Sequence, residues 1–132
     1  MTNQLLFQSL ALIYLVATLG ESGMGKVLDY KGNLAYFKGQ FKNSPLASTT
    51  GLLLPVITLM ELASAGLAIA GLVQLWTSGE PQFGIWALCI GGLNFIALIF
   101  GLRMSKDYGG AAGVVPYLAV ALIGLYGFLQ LS

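Results

Sequence analysis

Residues 5–30 read LLFQSLALIYLVATL-GESGMGKVLDY, fifteen apolar-dominated residues from Leu5 to Leu19 followed by the charged stretch Gly20–Tyr30. A bilayer core of about 30 Å takes about 20 apolar residues in helical form. The first part is therefore most of a span. The second part puts Glu21, Lys26 and Asp29 where that span ends. How the chain handles those charges decides the fold and locates the candidate site.

The rest of the chain supports lipid as the solvent. Of 132 residues, 57% are hydrophobic and only 8% are charged. The mean hydropathy is +0.82. A water-soluble domain of this size cannot hide so much apolar surface. Four stretches qualify as spans, about residues 5–28, 51–76, 83–102 and 111–131. They show no alternation of apolar and polar residues, and in lipid only helices or closed barrels satisfy the backbone. The expected fold is all-α, a single-domain (1–132) integral membrane four-helix bundle. The run MTNQ at the start carries no Lys or Arg, so the first stretch reads as a retained span rather than a secretory signal.

The connections differ in character. TSGEPQ (77–82) and RMSKDYGG (103–110) are short turns, the first flanked by Trp76 and Trp86 as an aromatic belt would be. The first connection, DYKGNLAYFKGQFKNSPLASTT (29–50), is longer. Read as a helix, it places Tyr30, Leu34, Phe37 and Phe41 on one stripe and Lys31, Lys38 and Lys42 on another. That pattern suits an amphipathic segment in the membrane interface, with Lys31, Phe37, Lys38, Phe41 and Lys42 as lipid contacts. Gly32 and Gly39 weaken a continuous helix. Small residues predict close helix packing at Gly66/Ala70, Ala87/Gly91 and Gly20/Gly23/Gly25. Cys89 is expected as a small packing residue and Met24, Met60 and Met104 as core filler. Pro55 predicts a bend or a first turn in the second span.

All six Lys and Arg residues fall in or beside the first and third connections, and the opposite side carries only Glu80. The positive-inside rule then puts those connections in the cytoplasm and both termini outside. A net charge of +1 offers no basic face for nucleic acid. One cysteine and no histidine leave no disulfide, no CxxC pair, no Cys/His zinc site and no imidazole base. No metal site, no catalytic residue and no self-contained catalysis is expected. An organic cofactor such as a quinone is compatible with this composition, as is self-association into a homo-oligomer.

Each span supplies one polar group at a similar depth: Glu21, Glu61, Asn94 and Tyr117. Glu61 lies about ten residues, hence about 15 Å, into the second span. A charge at the bilayer centre costs about 2.5–3.5 kcal/mol on insertion scales. Glu61 should therefore face inward, protonated or paired with Lys26, with Arg103 as the second candidate. Ser22, Lys26 and Asp29 share a helix face. The cluster Glu21, Ser22, Lys26, Glu61, Asn94, Arg103 and Tyr117 reads either as a polar clasp fixing helix register or as a small-molecule pocket or proton path.

These residues also carry a resemblance. SGMGKVLDY (22–30), Glu61 within ITLMELASAGLAIAGL (57–72), and MSKDYGGAA (104–112) resemble the DoxX-like family of small four-span membrane proteins over most of the chain. The resemblance implies that the family's polar positions fall on Ser22, Gly23, Lys26, Glu61, Lys106 and Asp107. It implies association with membrane redox systems, an accessory subunit of a larger membrane complex and a bacterial inner membrane. A more distant relative implies an assembly role. The family places the end of the first span outside the cytoplasm, whereas the charge asymmetry here places it inside, and the charge asymmetry is the more direct signal. The remaining reading, a small proton-coupled transporter with Glu61 titrating, calls for an internal repeat or broken helices, and neither is clear.

Overall fold

The computed structural model describes residues 3–131, with side chains through residue 129. The described residues are helical apart from short turns, and none is in a strand. Helix α1 (Asn3–Leu15) runs through a wide π turn (Val16–Gly20) into α2 (Glu21–Leu28). Helix α3 (Tyr30–Phe41) follows. A 3-10 turn (Ala47–Thr49) leads into α4 (Thr50–Thr77), then α5 (Gln82–Met104) and α6 (Tyr108–Leu131). Four stretches, Asn3–Leu28, Ala47–Thr77, Gln82–Met104 and Tyr108–Leu129, are long and apolar enough to cross a membrane. Helices that are apolar all round, as these are, fit a solvent that is itself apolar.

The first span ends at Asp29, whose backbone (φ −131°, ψ 59°) leaves the helix. The same residue starts α3, its carboxylate accepting from the Gly32 amide at 3.3 Å. An Asp at this position replaces a missing intrahelical partner. Helix α3 stays continuous through Gly32 and Gly39. Phe41 is buried, Leu34 and Phe37 are half-buried, and Tyr30 and the three lysines are exposed. Helix α3 packs on α4. Its far end is tied to the α5–α6 turn, where Gln40 Nε2 donates to Ser105 Oγ (3.2 Å) and to Asp107 Oδ2 (2.9 Å). Asp107 also caps α6, its Oδ1 accepting from Gly110 N at 3.0 Å. The first and third connections therefore meet at one end of the molecule. At the other end the α4–α5 turn closes through Gly79, at φ +76°, a conformation glycine adopts at no steric cost.

The core joins α1, the π turn, α4, α5 and α6 through Leu12, Leu15, Leu19, Ala68, Leu88, Phe95 and Phe128. Helix α5 lies between α4 and α6, and the first span bridges α4 and α6. Helices α4 and α5 approach closely at Gly71, where an added Cβ would stand 2.8 Å from the Gly84 backbone nitrogen. Ser64 Oγ donates to the Ala87 carbonyl at 2.7 Å across the same interface. This seam runs through Ser64, Ala68 and Gly71, not through Gly66 and Ala70. Gly66 is exposed, with open space where its Cβ would be. The shift arises because Ser64, Ala68 and Gly71 recur at i, i+4 and i+7 on the buried face, and Gly66 falls two residues off it. Gly91 does face the interior, against Ser64, Leu15 and Leu19, while Gly25 faces open space. Cys89 and Met24 also lie on the outer surface rather than in the core. Pro55 sits inside α4, in its second turn, without ending it.

Candidate functional site

Gly23 sets the spacing between the first span and α4. A Cβ there would stand 2.8 Å from Leu62 Cδ2 and 3.4 Å from Glu61 Cβ, so the two helices touch at this turn. Lys26 follows three residues later. Its Nζ lies 3.0 Å from Glu61 Oε1, and the two side chains are 12% and 2% exposed. Nζ also donates to Ser22 Oγ at 2.8 Å, one helical turn back. The approach to Oε1 is an ion-pair contact, and Oε1 has no hydrogen-bond partner. A carboxylate offers about four acceptor sites. Glu61 is thus a buried anion balanced in charge but with most of its acceptor capacity unused.

Two cavities meet at this pair. One, about 320 Å³, lies under α3 and is almost wholly apolar, lined by Phe37, Phe41, Ile57, Met60 and Leu102, with Lys26, Tyr36 and Gln40 as its polar members. The other is a cleft of about 360 Å³ between the first span and α6. Ala17, Thr18, Glu21 and Ser22 form one wall and Val114 and Tyr117 the other, with Glu61, Phe95 and Leu98 at the back. Its position follows from the packing. Near the other end α6 touches α1 closely, with Gly124 against Ala11 and Gly127 against the Phe7 ring. Beyond the π turn that contact thins, and the cleft opens between α2 and α6.

The cluster read from the sequence is thus divided. Glu21, Ser22, Glu61 and Tyr117 line one cleft, and Lys26 stands behind it, joined to Ser22 and Glu61. Tyr117 packs its ring against Phe95, centroids 5.9 Å apart. Asn94 is fully buried in α5, lines neither cavity, and has neither amide atom hydrogen-bonded. Arg103 lies away from Glu61, with its guanidinium over the Tyr108 ring at 5.2 Å. Asp29 turns to its capping role. Lys106 is an exposed turn residue at φ 63°. The cleft also uses residues that polarity alone would not select: Ala17, Phe95, Leu98 and Val114. Thr18, which the sequence did not single out, gives its hydroxyl hydrogen to the Tyr14 carbonyl at 2.7 Å.

The arrangement can hold a small polar head among apolar walls. Among the described residues no group of three or more His, Cys, Asp or Glu could hold a metal. Comparison with family models, with curated proteins and with solved structures finds no match to this chain.

Proposed function

We propose that this chain is a small integral membrane accessory subunit of a larger membrane complex, and that its lateral cleft receives the head of a lipid-soluble molecule. The observation that carries the reading is the Lys26–Glu61 pair. Its side chains are 12% and 2% exposed, with Glu61 at the back of the cleft and Lys26 lining the neighbouring apolar cavity. A pair kept only to fix helix register needs no cavity beside it. In this reading the four long helices form a membrane bundle, and α3 lies along the cytoplasmic interface with Lys31, Lys38 and Lys42 toward anionic headgroups. The resemblance to DoxX-like proteins adds a redox setting in a bacterial inner membrane and makes a quinone the first molecule to try. With no histidine and one cysteine, electron chemistry falls to the partner. The alternative, an assembly factor without a ligand, is favoured by the small soluble mass of the chain.

The test is co-migration. The protein is extracted from its native membrane in mild detergent, separated on a native gel, and what migrates with it is identified by mass spectrometry. Co-migration with an oxidoreductase complex is the expected result. Migration as a free monomer or homo-oligomer overturns the accessory-subunit reading.

A further inference from the structure

The cleft's polar groups are unevenly divided between donors and acceptors, and the imbalance limits what can occupy it. The Glu21 carboxylate lines the cleft, and among the described residues no cation lies within ion-pair distance of it. Glu61 is 2% exposed, and no described group donates a hydrogen bond to it. Thr18 gives its hydroxyl hydrogen to the Tyr14 carbonyl, so toward the cleft its oxygen can only accept. The donors facing the cleft are two hydroxyls. Ser22 keeps its hydrogen because its oxygen receives Lys26, and Tyr117 is half exposed. Two carboxylates, each with about four acceptor sites, thus face two hydroxyl hydrogens.

The charge count points the same way. Lys26 offsets Glu61 and nothing offsets Glu21, so the cleft keeps one formal negative charge. The other cations at this end do not line it. Arg103 is stacked on Tyr108, Lys106 is exposed in the α5–α6 turn, and Lys31, Lys38 and Lys42 are on the exposed face of α3, which packs on α4. The remaining walls, Ala17, Leu19, Phe95, Leu98 and Val114, are apolar. A carboxylate with unused acceptor sites gains most from a donor, and more from a charged one, because the Coulomb attraction to the uncompensated negative charge adds to the hydrogen bond. An acceptor-only head would leave both carboxylates unsatisfied and add lone-pair repulsion.

We infer that the cleft selects lipid-soluble molecules whose head donates hydrogen bonds, with a protonated primary amine as the best match, and that it discriminates against heads that only accept, such as a fatty-acid carboxylate or an oxidised quinone. The inference rests on the cleft being a ligand site. It adds that, of a quinone couple, the hydroxyl-bearing reduced form is the one held.

Photo-crosslinking tests it. Four probes share one diazirine-bearing alkyl chain and end in a primary amine, a phenol, a carboxylate or a benzoquinone. Each is added to the full chain in lipid nanodiscs, irradiated, and the labelled residues are mapped by mass spectrometry. The expected result is labelling around Phe95, Leu98 and Val114 in the order amine, then phenol, with carboxylate and quinone near background. Phenol labelling that exceeds the amine's keeps the donor rule and assigns the ligand to the neutral, quinol-like source. Glu21→Gln, at an exposed position, should leave folding intact and lower amine labelling roughly tenfold, as loss of one charge-assisted bond implies, with a smaller drop for the phenol, which carries no charge of its own. Cleft labelling by carboxylate or quinone equal to that by the amine overturns the inference and leaves the cleft as a site. No cleft labelling by any probe overturns both.

Discussion

The Lys26–Glu61 pair gives the sharpest energetic test. At 3.0 Å separation, Coulomb's law gives about 5–6 kcal/mol of attraction at an effective dielectric of about 20. Desolvation of the two groups offsets much of that, because Glu61 is 2% and Lys26 12% exposed. Removing one partner leaves a buried charge without compensation, which typically costs about 3–5 kcal/mol, whereas replacing both with apolar groups of similar volume is often neutral. Glu61→Leu and Lys26→Met should therefore each shift the folding equilibrium by two to three and a half powers of ten, at about 1.4 kcal/mol per decade. The double variant should return to within about 1 kcal/mol of the parent. Glu61→Leu is the milder single change, because the Lys26 it leaves behind is the more exposed partner and its flexible stem can turn the ammonium toward water, whereas Lys26→Met strands the Glu61 carboxylate in the interior.

The measurement is a double-mutant cycle on folded fraction in mixed micelles, read by far-UV circular dichroism during titration with a denaturing detergent. Glu80→Ala is the control, since Glu80 is exposed at the opposite end. A coupling energy below about 0.5 kcal/mol would place the pair among ordinary polar contacts of membrane helices, which average about 0.6 kcal/mol. It would refute the claim that the ion pair organises this end of the fold. Equal behaviour of Glu61→Ala and Glu80→Ala would do the same.

Three further outcomes are expected. Gly71→Ala places a methyl 2.8 Å from the Gly84 nitrogen and 3.0 Å from its Cα. Backbone cannot yield as a side chain does, so a loss of about 1–3 kcal/mol is expected in the same titration. Gln40→Ala removes two bonds, at 3.2 and 2.9 Å, between α3 and the α5–α6 turn. Hydrogen exchange should quicken across residues 30–41 while α4 and α5 keep their protection. Lys106→Gly relieves a non-glycine residue at φ 63° and should raise stability by up to about 1 kcal/mol, read as a higher unfolding midpoint.

The long helices were legible because their length and unbroken apolarity leave few alternatives in lipid. The break at Asp29 was legible too, because the apolar run ends there in charged residues, although the capping role of Asp29 was not. Helix faces were harder. In soluble helices a polar side marks the outside, but here both sides are apolar, so sequence could not show that Ser64, Ala68 and Gly71 face α5 while Gly66 faces out. The same loss of contrast placed Cys89 and Met24 inside when they lie outside. Polar residues kept their information because a polar group is costly to leave against lipid and so tends to face the interior or a cleft. That is why Glu21, Ser22, Glu61 and Tyr117 could be grouped before any contact was known. Asn94 shared their depth, and depth alone could not tell a cleft wall from a core position. The cleft itself was not legible. It is a gap between two helices, made by residues that stop touching, and no residue type records a contact that fails to form.

That origin allows occupancy to be separated from stability. Ala17 is exposed, lines the cleft, and belongs to the π turn rather than to the packed face of Leu12, Leu15 and Leu19. Ala17→Phe would place a ring in the cleft without displacing a buried side chain. Exposed substitutions of this kind usually shift stability by no more than about 0.5 kcal/mol. The Lys26–Glu61 pair should survive, because Lys26 approaches from behind the cleft wall. The expected outcome is a variant with parental unfolding behaviour and an abolished amine crosslink at Leu98 and Val114. Unchanged crosslinking would mean that probes reach those residues from the surrounding lipid, and the cleft would then be only a fold in the surface. Loss of stability together with loss of labelling would show that the gap between α2 and α6 closes in the membrane, and that the polar cluster acts as a clasp.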